Sequence, residues 1–489
     1  MIQFVLSGLA LIVAALLALG IAGAWRIRYL PEITTGLCGT GALLAVAGLV
    51  LGAGTATLAV PLGLPDMPVT LGLDGLSGFF LLLLMLSGVA ASAAAMDAAP
   101  EYHAAMPFYP VFLAGMALTL LAADAFSLLL GFELMSVASA ALVLTHHRDE
   151  GVRNAALLYI GMAAIGAACL VPAFALLGSG GGWEFGFGAM RAHPPEGWRA
   201  TLVLVLVLIG AGSKAGLAPL HVWLPPAHAA TPGHVSALMS GAMTKIALYV
   251  LIRVLFDLCG PAQPLWWGVP LLVLGAFGAV LGALRANLEN DLKAALACST
   301  IENIGLIVVG LGLALTARAA DLGPLAALAM GGALLHVLAH GMFKTLLFLG
   351  AGAVQHGAGT RRLDRLGGLI HRMPVTTACM LAGAACLAAL PPSSGFASEW
   401  MLFQAALAAP RIGGIGLQVL VCAVAALMAL AAALAAAAAM RIIGVALIAR
   451  AADQPGLAEL AMGGALLHAL NHGVFKTLLF LGAGAAQHG

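Results

Sequence analysis

The sequence predicts an all-α integral membrane protein of about 14 transmembrane helices, and three observations carry that expectation. Of 489 residues, 62% are hydrophobic and only 8% are charged, where soluble domains carry roughly 25%. Apolar blocks of about 20 residues, the length that crosses a bilayer core as a helix, recur along the whole chain. They are rich in Leu and Ala and lack the ten-residue alternation of barrel strands. The 62 glycines suit helices that approach one another closely.

In chain order the expected spans fall near 3–25, 36–60, 70–95, 106–122, 125–145, 153–178, 201–224, 234–256, 266–284, 294–316, 325–350, 374–409, 414–447 and 457–486. The first lacks the basic n-region of a secretory signal and carries its positive flank afterwards, as Arg26 and Arg28. It reads as an uncleaved helix. The seventh runs through TLVLVLVLIGAGS to Lys214 and then breaks at APLHVWLPPAHAATPGH. The twelfth is interrupted by AALPPSSGFASEW, with Glu399 just after the break. Proline removes an amide donor and kinks a helix, which in lipid is tolerable only beside a polar cavity or another helix. Two interrupted spans in matching halves of a chain point to inverted-repeat transporters with sites near the midplane.

Basic residues outside the spans set the expected orientation. Loops after odd-numbered spans hold Arg26, Arg28, Arg148, Arg153, Arg285, Lys293, Arg361, Arg362, Arg365, Arg372, Arg441 and Arg450; even-numbered loops hold Arg191, Arg199, Arg253, Arg318 and Arg411. That asymmetry places the odd loops in the cytoplasm and the N-terminus outside. The longest polar loop, GSGGGWEFGFGAMRAHPPEGWR, is too short to fold alone. No nucleotide-binding loop interrupts the spans, and the near-neutral net charge of +1 gives no footprint for nucleic acid. The seven cysteines form no C-x-x-C pair, so neither an iron–sulfur nor a zinc framework is supported. No cofactor is expected in this chain.

Residues 319–357 recur at 451–489 at a constant offset of 132, with eight of 39 positions different. A solenoid repeats throughout and this chain does not. The expected explanation is a local duplication or a gene-assembly artefact, which leaves an intact C-terminus in doubt.

Ionisable groups inside apolar spans cost at least a few kcal/mol each and are functional candidates by default. Six stand out: Glu133 in LLLGFELMSVASAALVL, Lys214, Lys245 in VSALMSGAMTKIALYVLIR, and His336, His340 and Lys344 in LLHVLAHGMFKTLLFL. The last three recur at i, i+4 and i+8, so they share one helical face. H-x-x-x-H can ligate a metal, but Lys344 one turn on would repel the cation. The plainer alternatives are snorkelling for the lysines, a protonated packing residue for Glu133 and hydrogen-bonded core imidazoles for the histidines. Burial disfavours a charged amine and a nearby carboxylate restores it, so a lysine and a movable acid can hold and release a proton. Charges and breaks together imply a proton or cation path.

These residues also resemble a known family. The run SKAGLAPLHVWLPPAHAATPGHVSALMSGAMTKIALYVLIR, with FELMSVASA before it and ACSTIENIGL after it, is similar to the antiporter-like membrane subunits of respiratory complex I and of Mrp-type cation/proton antiporters. Within that superfamily GHVSALMSGAMTK, STIENIG and LPPSSGFASEW look most like the large membrane subunit of the hydrogenase-4 and formate hydrogenlyase group. The resemblance covers roughly residues 70–450.

It implies two five-helix repeats of inverted topology with discontinuous helices: 1–105 as N-terminal helices, 106–256 and 257–450 as the repeats, and 451–489 as the duplicated segment. It also implies that Glu133 and Lys214 are the channel acid and its lysine partner, that Lys245 is the eighth-span lysine, and that His336, His340 and Lys344 form the polar stretch of the eleventh span. Glu399 falls where complex I members carry a lysine or glutamate. Some members place a histidine where this chain has Ser240, so a relay from Lys214 to Lys245 would rely on water. The implied function is proton translocation within a hydrogenase or complex I-like oxidoreductase, with other membrane and peripheral subunits as partners. Sodium or potassium/proton antiport is the alternative, and a mere membrane anchor for a soluble enzyme is the third possibility.

Overall fold

A computed structural model describes residues 1–23, 29–51, 56–64, 67–97, 104–409 and 412–448. The duplicated segment, with its expected span at 457–486, lies outside the described residues, as do Arg26, Arg28, Arg411 and Arg450. The protein is helical, as the composition demands. Among the described residues 11 helices are long and apolar enough to cross a membrane, and two shorter apolar helices, Phe108–Leu121 and Pro374–Leu387, accompany them.

The expected spans need three corrections. The second helix covers Leu30–Val50 and the third starts at Gly75. The residues between them include a two-stranded antiparallel hairpin, β1 (Ala56–Leu64) and β2 (Met67–Leu73). Apolar character alone carried the expected spans into it, although Val60, Val69 and Thr70 favour strand. The twelfth span breaks where expected but counts as two short helices and not one span, α15 (Pro374–Leu387) and α16 (Ser394–Ala408), the second capped by Ser393. The third correction concerns charge: Arg253, counted above as a loop residue, lies inside the helical span Gly233–Leu258 and is 4% exposed.

The chain divides into two compact units. The first comprises residues 1–215 and 230–260. It holds α1 (Ile2–Gly23), α2 (Leu30–Val50), the hairpin, α3 (Gly75–Ala95), α4 (Phe108–Leu121), α5 (Ala125–Val143), α6 (Glu150–Gly178), the short α7 (Phe187–Ala192) and α8 (Gly197–Ala215). The span Gly233–Leu258 completes it, built from α10 (Gly233–Leu238), a π-helical turn Met239–Met243, α11 (Thr244–Ile252) and a second π turn Arg253–Leu258. Asp124 starts α5 by accepting from Ser127 N at 2.7 Å, and its other oxygen accepts from Thr70 N of β2 at 2.9 Å. One carboxylate thus caps a helix and ties down the hairpin. α4 and α5 touch backbone to backbone: a Cβ on Gly115 would lie 2.5 Å from Met135 N.

The second unit comprises residues 216–229 and the chain from 261 onward. It contains α9 (Leu224–Ala230) up to residue 229, α12 (Gly268–Leu288), α13 (Leu292–Ala319), α14 (Gly323–Ala358), α15, α16 and α17 (Ile415–Met440). Asp291 caps α13 by accepting from Lys293 N at 2.9 Å and Ala294 N at 3.1 Å. α13 is buried along its whole apolar window. Its polar side chains, Ser299, Glu302 and Asn303 among them, therefore face other helices and not lipid.

Candidate functional site

Lys214 stands one residue from the C-terminal end of α8 and is 2% exposed. Its ammonium donates to Tyr159 OH at 2.6 Å and Ser136 Oγ at 2.9 Å, and it lies 4.4 Å from the Tyr159 ring centroid. Both acceptors come from neighbouring helices, Tyr159 from α6 and Ser136 from α5. The hydroxyls are themselves engaged. Ser136 donates to Phe132 O at 2.8 Å, and Tyr159 is hydrogen-bonded to Ser139, which reaches Met135 O at 2.6 Å. A buried cation is tolerable when its N–H groups find acceptors and a π face, and these residues supply both.

Glu133 lies on α5, one turn before Ser136 and Val137, and is half-buried. Its charge couples to that of Lys214, yet the two form no ion pair within 4 Å. One oxygen, Oε1, is buried without a hydrogen-bond partner. The acid and the base therefore share a field without touching. Lys245, fully buried, donates to the Ser240 carbonyl and to Thr244 Oγ1 at 3.3 Å. Its carbonyl partner belongs to the π turn, a distortion that recurs at functional sites. Met243 of that same turn has its sulfur 3.5 Å from Tyr159 OH, so the Lys214 cluster reaches the helix that carries Lys245.

The second unit places His336, His340 and Lys344 on the inward face of α14, each 0% exposed. The two imidazoles stack with centroids 6.2 Å apart. His336 bridges elements, with Nδ1 2.9 Å from Ser398 Oγ of α16 and Nε2 3.0 Å from Asn303 Oδ1 of α13. Lys344 donates to Leu296 O at 2.9 Å and to Ser299 Oγ, both on α13. Glu399, 6% exposed, follows Ser398 on α16. Among the described residues no group of three or more His, Cys, Asp or Glu is placed to hold a metal ion.

Sequence reasoning missed several participants. Glu302 of α13 is 0% exposed and interacts electrostatically with Lys344 and Glu399. It met the criterion that selected Glu133, an acid within a long apolar run, but STIENIG drew notice only as a resemblance. Tyr159 carries no charge and lies outside the quoted motifs, while Ser136 and Asn303 sit unremarked inside FELMSVASA and STIENIG because nothing but charge singled residues out there. A further ionic cluster, on the first unit, centres on Arg253. Its guanidinium meets Asp74 at 2.7 Å and Asp257 at 2.8 Å, and Asp257 also takes a two-pronged grip from Arg191. Burial pushes the Asp74 carboxyl up, but the Arg253 hydrogen bond and charge and the Ser77 amide outweigh it, leaving it below the usual carboxylate range. Every acid there has a close basic partner. That saturation marks the cluster as a tie between α3, α7 and the last span, not a proton site.

Long apolar helices enclosing buried lysines and acids define a multi-pass membrane protein. The chain belongs to the NADH:quinone oxidoreductase/Mrp antiporter transmembrane family, whose model matches residues 122–426. It is 38% identical over 370 residues to hydrogenase-4 component B of Escherichia coli, an alignment that covers 74% of this chain and 54% of that protein. It is 34% identical over 366 residues to NADH-quinone oxidoreductase subunit N of Desulforudis audaxviator, covering 71% of this chain and 68% of that one. The solved Mrp complex from a Dietzia species contains a chain that superposes with a TM-score of 0.77 at 26% identity, over 94% of this chain and 50% of that one. The chain thus spans about half the length of the hydrogenase-4 relative.

Proposed function

We propose that this chain is a proton-translocating membrane subunit of a hydrogenase-4/formate hydrogenlyase or complex I-like oxidoreductase, converting redox energy released in partner subunits into ion movement. The observation that carries the reading is Lys214: a buried amine solvated by two hydroxyls, coupled to Glu133 without being neutralised by contact. A lysine locked in a salt bridge would hold its proton, whereas one held by hydroxyls can surrender it when the acid's charge changes. Glu133, Lys214 and Lys245 serve one set of transfers, and His336, His340, Lys344 and Glu399 serve a second.

In this reading residues 106–256 and 257–450 are the inverted five-helix repeats, and the chain lies in a prokaryotic cytoplasmic membrane with its N-terminus outside. Its partners are membrane and peripheral subunits, and electrons never enter it. Similarity to the Mrp complex supports a second reading, a sodium or potassium/proton antiporter subunit.

One experiment separates the two. The tagged chain is isolated from its native membrane with the subunits that accompany it and reconstituted into vesicles. Proton movement that tracks electron transfer supports the first reading. Movement driven by a sodium or potassium gradient without redox turnover supports the second, and no proton movement under either drive refutes both.

A further inference from the structure

We propose that Glu302 is the acid partner of Lys344, so that the second unit contains its own carboxyl–amine proton-exchange pair. The proposal rests on the reading of the chain as a proton carrier and goes beyond it by naming the acid.

Glu302 sits mid-helix on α13, the most enclosed helix of the unit, and no part of it is exposed. Its Oε2 accepts from Asn303 Nδ2 at 3.0 Å, while Oε1 is buried with no hydrogen-bond partner. A carboxyl placed there for structure alone would have both oxygens satisfied, because an unmet buried acceptor costs about 1–3 kcal/mol. Lys344 of α14 is anchored one turn away on that same α13, donating to Leu296 O at 2.9 Å and to Ser299 Oγ, while Glu302 couples by charge first to Glu399 of α16 and then to Lys344, with no ion pair within 4 Å fixing it to the lysine. The relation repeats that of Glu133 and Lys214: acid and amine in one field, held apart, each on its own helix.

The backbone around Glu302 is also fixed. A Cβ on Gly282 of α12 would lie 2.4 Å from Glu302 N, so α12 can pack this closely only through a glycine. Asn303 sets the boundary of the pair. Its Nδ2 donates to the Ser299 carbonyl at 2.7 Å, which only accepts, so its Oδ1 is the atom facing His336 Nε2. An amide oxygen in that position accepts a hydrogen bond and passes no proton on. Asn303 therefore positions Glu302 and transmits its charge to His336, while protons exchange between Glu302 and Lys344. In that step the carboxyl O–H bond breaks, the neutral amine gains the proton as ammonium, and the carboxylate left behind is ready for the next proton.

The test uses the complex isolated through the tagged full-length chain and reconstituted in vesicles, comparing wild type, Glu302→Gln, Glu302→Asp and Lys214→Met. Proton movement should fall by roughly a hundredfold in Glu302→Gln and partly recover in Glu302→Asp. Infrared spectra recorded across pH should show a buried carboxylic acid band that titrates in wild type and is missing from Glu302→Gln. Wild-type proton movement in Glu302→Gln alongside loss in Lys214→Met would overturn the role of Glu302 and leave the parent reading intact. Wild-type movement in both would remove the parent reading and this one together. If Glu302→Gln does not assemble, the infrared titration of wild type and Glu302→Asp decides, and a band that never titrates overturns the proposal.

Discussion

Lys214 donates its shortest hydrogen bond, 2.6 Å, to the hydroxyl of Tyr159, and that hydroxyl rather than a carboxylate is its closest polar partner. The ammonium is stabilised by a group that does not change charge near neutral pH, so its protonation remains responsive to Glu133.

Removing that partner should be costly. Tyr159→Phe takes one acceptor from a buried cation, and the expected loss is about 1.5–3 kcal/mol of stability for a hydrogen bond to a charged group. Thermal unfolding of the purified protein in detergent reads it. A variant as stable as wild type would mean that the tyrosine does not solvate the lysine.

Gly282→Ala should destabilise by about 1–3 kcal/mol, because its Cβ meets backbone atoms of α13 rather than a movable side-chain tip. The nearest are Glu302 N at 2.4 Å and Cys298 O at 2.8 Å. By contrast, nothing lies within 4 Å of a Cβ on Gly161 of α6, and Gly161→Ala should be tolerated. Equal unfolding midpoints for the two variants would contradict the close packing of α12 on α13.

Asp74 gives the first unit a pH dependence whose sign is fixed. Its carboxyl titrates below the ordinary range when folded, so its stabilisation is fully present above the unfolded value of about 4 and is lost as pH falls through the folded value. Asp74→Asn should unfold at lower temperature than wild type at neutral pH, and the difference should shrink as the solution is acidified. A gap that widened on acidification would contradict the Arg253 pairing.

His336 should be the Nε2–H tautomer when neutral, because Asn303 Oδ1 offers only an acceptor to that nitrogen. Nitrogen NMR on histidine-labelled protein distinguishes the two ring nitrogens directly. Finding the proton on Nδ1 would require the Asn303 amide to be turned around, against the Ser299 carbonyl.

Much of this architecture was legible in the sequence because a bilayer imposes one strong rule: a long apolar run becomes a helix. The breaks after Lys214 and before Glu399 were legible for the same reason, since Pro and Gly interrupt such runs visibly. The hairpin at 56–73 was not, because a short apolar stretch satisfies strand and helix alike. The lysines announced themselves by charge, whereas the groups that hold them did not. Ser136, Tyr159 and Asn303 lie on helices other than those of their titratable partners, Lys214 and His336, and only packing brings them together. Arg253 was misplaced because a buried arginine paired with Asp74 and Asp257 reads, in one dimension, like the end of a span.

The central claim, that a buried lysine held by hydroxyls passes protons, is tested most directly by Lys214→Ala in the reconstituted complex. Coupled proton movement should disappear while subunit assembly is retained. Proton movement at the wild-type rate without that amine would contradict the account.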